Sequence, residues 1–105
     1  MSDFAYSVNN IPIRLPDERW IHIVESHEDM AGYYFDVLEA ISKPTWIVEG
    51  DAGELWAIKN GKEKKVLLVI YREFIKTGDG FVITAFFTTQ LKKLLRRDIL
   101  WHQPQ

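Results

Sequence analysis

Four side chains in this chain belong to the chemistry of RNA cleavage without a metal: the imidazole of His27, the guanidinium of Arg72, the ammonium of Lys59 and the hydroxyl of Thr84. Attack of a ribose 2′-hydroxyl on its own phosphate needs a group that moves protons near neutral pH and donors that stabilise charge on the phosphate. Imidazole titrates in that range. A guanidinium grips two phosphate oxygens at once, and Lys59 is a weaker version of the same idea. Thr84 carries the only hydroxyl in the apolar run 81–87. With no base assigned to activate it, its role would be that of a hydrogen-bond donor, not a nucleophile. Each group also has a plainer use. His27 fits a helix-end cap, the two cations fit strand ends in water, and Thr84 fits cross-strand packing.

Other sets point less clearly to chemistry. His22 and His27 lie five apart, about 140° around a helix, and cannot share a metal as residues four apart do. His27-Glu28-Asp29 offers ligand types in a loop, with nothing else to mark a site, and His102 falls in the tail. No glycine-rich phosphate loop is present, and Asn60-Gly61-Lys62 reads as a hairpin. Neither metal nor cofactor is therefore expected. Lys92, Lys93, Arg96 and Arg97 form two i,i+4 pairs opposite Leu91, Leu94 and Leu95. Such a run is a solvated helix face or a surface that positions a nucleic-acid backbone. With the ring of Trp56, these four make up the expected RNA contacts.

The elements that must position these groups follow from periodicity. Residues 11–15 read as an edge strand because of Pro12. Pro16 and Asp17 start a helix in which Trp20, Ile23, Val24 and His27 recur at helical spacing. A second helix spans 33–42, closed by Pro44. Period-two segments at 45–49, 55–60, 65–72 and 81–87 are joined by short turns, which require antiparallel neighbours. A last helix runs from 88 or 89 to 97. The expected fold is α+β: two N-terminal helices, a four-stranded antiparallel meander and a C-terminal helix. Residues 1–10 read as a flexible lead-in, 11–100 as one domain and 101–105 as a tail.

Bulk properties set the frame. A chain of 105 residues with 47% hydrophobic and 27% charged residues suits one globular domain. The absence of cysteine excludes disulfides and thiol chemistry, and a reducing cytoplasm fits it. The first residues do not form a signal peptide, and the apolar run 66–71 is far below the roughly 18 residues of a membrane span. Net charge is −2, but it is unevenly spread. Residues 1–63 carry five Lys or Arg against twelve Asp or Glu, a balance of −7, and residues 64–105 carry eight against three, a balance of +5. The basic half could meet a polyanion, or the surface could simply be bipolar.

The order of these pieces resembles the phage-associated Barnase–EndoU–colicin–RelE-type (BECR-fold) nuclease domains of small bacterial and cyanobacterial proteins. The resemblance runs from Ile13 to Phe87. It rests on Leu15-Pro16-Asp17-Glu18-Arg19-Trp20 leading to Ile23 and His27, on Val37-Leu38-Glu39-Ala40-Ile41 with Pro44, and on Gly53-Glu54-Leu55-Trp56-Ala57-Ile58-Lys59. The run 66–71 and Ile83-Thr84-Ala85-Phe86 complete it. The resemblance implies a metal-independent endoribonuclease, often deployed as the toxin of a toxin–antitoxin or phage-conflict system, with RNA and a small antitoxin protein as partners. By position it assigns His27 to the family's helix-end histidine, Thr84 to its last-strand hydroxyl, and Arg72 and Lys59 to basic positions on the sheet. One departure is Glu28, where proline commonly follows the histidine. The competing expectation is a catalytically silent module whose sheet face holds a protein partner through aromatic anchors such as Trp46, Trp56, Phe86, Phe87 and Trp101.

Overall fold

A computed structural model describes residues 3–104. In chain order the elements are β1 (Asp3–Tyr6), β2 (Pro12–Leu15), α1 (Asp17–Ser26), a 3-10 turn (Glu28–Met30), α2 (Tyr34–Ser42), β3 (Trp46–Glu49), β4 (Leu55–Asn60), β5 (Val66–Phe74), β6 (Asp79–Thr88), α3 (Leu91–Leu94) and β7 (Ile99–His102). The strands form one seven-stranded sheet in the order β1-β2-β6-β5-β4-β3-β7. Every pairing is antiparallel except that of β2 with β6. This mixed sheet overturns the expected four-stranded BECR-type arrangement with two N-terminal helices.

Short strands account for the difference. β1, β2 and β7 each have four residues, too few for a periodic pattern to declare itself. β1 lies inside the segment read as a lead-in, and β1 and β2 both precede the helices. The expected C-terminal helix shrinks to Leu91–Leu94, because β6 runs on to Thr88 and the chain turns back to lay β7 beside β3. His102, expected in a tail, is the last residue of β7. Among the described residues no helix is long and apolar enough to cross a membrane.

One junction organises the sheet. β2 and β6 share only the pairs Ile13↔Gly80 and Arg14↔Phe81. The chain then leaves the sheet at Pro16, and α1 continues beside β6 with the acids Asp17 and Glu18 in its first turn, where they suit the helix dipole. α1 and the 3-10 turn both pack on β6, so its edge beyond Phe81 is covered. Under the helices lies the main core, with Ile23, Met30, Val37 and Ile41 against Ala57, Leu67, Val69, Tyr71, Val82 and Ala85. A thinner cluster on the opposite face joins Leu94 to Val48, Ile58, Val66 and Leu68.

Gly80 sits where β2, β5 and β6 meet. A Cβ there would collide with the Arg72 carbonyl oxygen and the Ile13 Cδ1 atom. Gly80→Ala is expected to cost about 1–3 kcal/mol of stability by overpacking, read as a lower urea midpoint. An unchanged midpoint would show that the junction yields freely. Tyr71 is fully buried, and its hydroxyl has no hydrogen-bond partner among the described residues. Burial pushes its pKa up, since the charged form cannot be hydrated. Tyr71→Phe should leave the midpoint equal or raise it, because it removes an unsatisfied polar group. A clear loss would reveal a partner for the hydroxyl.

Candidate functional site

Alternation along a strand assigns each side chain to a face. Trp56 and Ile58 of β4, Leu68 and Ile70 of β5 and Phe86 of β6 pack on the side of α3. Ala57, Leu67, Val69, Tyr71 and Ala85 pack under α1 and α2. Arg72, two residues after Ile70, and Thr84, two before Phe86, therefore belong to the α3 side. Lys59, two after Ala57, belongs to the helix side.

Three of the four expected catalytic groups lie along one line on the α3 side. Thr84 pairs with Ile70, which pairs with Trp56. Arg72 is a diagonal neighbour of Thr84, a relation that corresponds to about 7–8 Å between backbones. Thr84 and Phe86 are separated by two strand rises, about 7 Å. The His27 ring stacks on Phe86, with centroids 5.0 Å apart and planes 28° apart. His27 reaches this place because it ends α1: its φ of −138° leaves the helix, and its backbone N–H donates to Ile23 O at 2.8 Å. No hydrogen bond or ion pair joins His27, Arg72 and Thr84 to one another among the described residues; they share a surface, not a bonded triad.

Lys59 stands apart. Its Nζ donates to the Lys43 carbonyl oxygen at 2.6 Å and lies 3.8 Å from Glu39 Oε1. It lines a cleft of about 450 Å³, where Asp29, Asp36 and Glu39 face Lys62 and Lys65. Being on the opposite face, it does not join the other three groups.

The expected RNA contacts also separate. Lys92, Lys93 and Arg96 are exposed, but α3 ends before Arg96, so the four cations do not form one helical face. Arg97 turns inward. Its guanidinium sits 3.9 Å over the Trp56 ring and binds Asp51 through two nitrogens. Arg72 Nη1 donates to the Ala52 carbonyl oxygen at 2.8 Å. Both arginines thus hold the loop between β3 and β4. Glu54 holds the same loop by accepting the Ala52 N–H at 2.6 Å, while the Trp56 indole N–H donates to its other oxygen at 3.4 Å.

Sequence reasoning missed Arg14 and Phe81, which stand in register with Arg72 on this face. The available signal was Arg14 flanked by two buried residues, Ile13 and Leu15; the pairing that brings it to Phe81 is long-range. Arg14 donates to both oxygens of Asp79, at 3.1 and 3.0 Å, and these bonds hold the Asp79 carboxyl below its usual pKa. Among the described residues no three His, Asp or Glu side chains are placed to hold a metal ion. No family model, curated protein or solved structure matches the chain.

The loop that both arginines hold should respond to acid. The backbone N–H of Ala52 is the main cause that lowers the Glu54 pKa from an ordinary 4.5 to about 2. A depressed carboxylate pKa stabilises the fold above 4.5 and loses that effect as pH falls through about 2. Glu54→Gln should therefore be less stable than the parent at pH 6, with the gap closing between pH 4.5 and 2. Urea midpoints at pH 6, 4 and 3 read this directly. A gap independent of pH would assign the effect to shape instead of charge.

Proposed function

We propose that the protein is an endoribonuclease that cleaves RNA by attack of a 2′-hydroxyl on the adjacent phosphate, on the sheet face carrying Arg72, Thr84 and His27. The observation that supports this reading most is the line of an arginine, a hydroxyl and an imidazole across β5, β6 and the end of α1. His27 takes the proton of the 2′-hydroxyl as general base, while its half-buried ring keeps its orientation against Phe86. The phosphate lies over Thr84, whose hydroxyl donates to a non-bridging oxygen. Arg72 meets the developing charge with its Nε and Nη2, since Nη1 is held by Ala52. The bond from phosphorus to the 5′-oxygen breaks, that oxygen leaves with a proton from water, and a 2′,3′-cyclic phosphate remains. Lys59 has no part in this scheme. A chain without cysteine suits a cytoplasmic setting for such an enzyme.

One observation favours a second reading, a silent module that binds a protein partner. Arg72 and Arg97 already have structural work in the loop between β3 and β4, so their positions need no ligand. Incubation of the purified protein with mixed RNA in EDTA separates the two. Cleavage leaving 2′,3′-cyclic ends is expected, with a loss of about 10²-fold or more in His27→Ala. No cleavage above the His27→Ala background overturns the enzyme and leaves the silent module.

A further inference from the structure

We propose that a cross-strand row of Phe4, Arg14, Phe81 and Arg72 is a track for single-stranded RNA, its rings stacking bases and the Arg72 guanidinium holding a phosphate; this deepens the reading above and rests on it. Three strand pairings build the row: Phe4↔Arg14, Arg14↔Phe81 and Phe81↔Arg72. All four side chains face away from the helices, because their strand neighbours Ile13, Leu15, Tyr71 and Val82 fill the helix-side core and Ala5 packs against it. Aromatic and cation therefore alternate from β1 to β5. Strands lie about 4.8 Å apart, so like members of the row stand two strands, or about 10 Å, from each other.

The rings are both accessible and braced. Phe4 is 50% exposed, and Tyr6 meets it edge-on with centroids 5.3 Å apart. Phe81 is half-buried, with Phe74 beside it at 6.0 Å. Beyond Phe81 the surface continues into a cleft of about 330 Å³, to which α1 contributes Glu18, Arg19 and His22. The carboxylates here are Glu18 and Asp79, and Asp79 is bound to Arg14. Arg19 and Arg72 have no carboxylate partner among the described residues. Arg14, between the two rings, is therefore neutralised by Asp79, and the positive charge left without a carboxylate partner is that of Arg72, at the end of the row beside Phe81.

That pattern selects unpaired bases. Every base has a face that stacks on a phenyl ring without regard to sequence, and stacking is worth about tenfold or more in affinity per base. A duplex hides those faces in its own stack and offers mainly backbone to the protein. The track also adjoins the proposed reaction line through Arg72, so a strand lying on it delivers a phosphate toward Thr84.

Fluorescence anisotropy with a labelled single-stranded oligoribonucleotide, and with the same strand annealed to its complement, tests the track. The His27→Ala protein in EDTA keeps cleavage out of the measurement. Tighter binding of the single strand is expected, weakened about tenfold by Phe4→Ala and by Phe81→Leu. Phe35→Ala, at a 73% exposed ring on α2, should leave it unchanged. Thermal melts confirm that each variant is folded, and Phe4→Ala carries the test should Phe81→Leu not fold. Equal affinity for duplex, or full binding by a folded Phe4→Ala, overturns the track. If the parent chain cleaves RNA while Phe4→Ala binds and cleaves normally, the track fails and the ribonuclease stands. If ring-dependent binding occurs without cleavage, the ribonuclease fails and the track stands.

Discussion

The fold depends on a two-residue parallel contact. Ile13 and Arg14 pair with Gly80 and Phe81, the strand pairing that joins the N-terminal hairpin of β1 and β2 to the rest of the described sheet, and from the turn of the hairpin Ser7 and Asn9 donate to Glu73 of β5. The contact is short because Pro16 has no N–H to give a continuing ladder, and the chain turns into α1 instead. Gly80 makes it possible, since any side chain there would occupy the space of the Ile13 methyl group and the Arg72 carbonyl. From this point three consequences follow. The hairpin extends the sheet by two strands, α1 runs alongside β6, and the end of α1 delivers His27 to Phe86. The position of the imidazole is thus a result of where β2 stops.

The two faces of the sheet differ in cover. Two helices and a 3-10 turn fill one side, whereas the helical cover of the other, among the described residues, is the four residues of α3, with Leu95 after it. The acids Asp17, Glu18, Glu25, Glu28, Asp29, Asp36 and Glu39 all lie on the helical layer. Arg14, Arg72 and Arg97 lie on the thinly covered side, together with Asp79 and Asp51, which bind Arg14 and Arg97, and Glu54, in the loop that Arg72 holds. The negative first part and positive second part of the chain therefore do not separate onto the two faces: Arg14 comes from the first part and its partner Asp79 from the second. Of these three arginines, Arg72 alone has no carboxylate partner among the described residues.

Part of this was legible in the sequence. The helical spacing of Trp20, Ile23 and His27 gave α1 its length, and the lone hydroxyl of Thr84 marked a position on the open face. Lys59 was misplaced because β4 and β5 are apolar on both faces, so that alternation along them does not say which parity faces the helices. The bulge at Ile83 compounds this. The register passes from Ile70↔Thr84 to Tyr71↔Val82, so Phe81 and Thr84 share a face although they are three residues apart. β1 and β7 escaped notice because a four-residue strand takes its stability from a neighbour distant in sequence, not from its own pattern. Leucines at 91, 94 and 95 fit a longer helix equally well; only the pairing of β7 with β3 shows why the helix stops.

Trp56 shows how a residue that looks like a binding platform can be spent on structure. One side of its ring is covered by the Arg97 guanidinium, which Asp51 fixes in place, and its edge joins the α3 cluster. A base could reach that ring only by displacing a cation held by both a π-face and a carboxylate. Among the described residues no cation lies over Phe4 or Phe81: their ring neighbours are Tyr6, perpendicular to Phe4, and Phe74, tilted against Phe81. The arginines divide in the same way. Arg97 is held by a carboxylate and a ring, whereas Arg72 commits one nitrogen to a neutral carbonyl and has no carboxylate partner among the described residues. On this surface the arginine left without a carboxylate partner thus stands beside Phe81, where the hairpin joins the sheet, and the ring with a cation over it is Trp56.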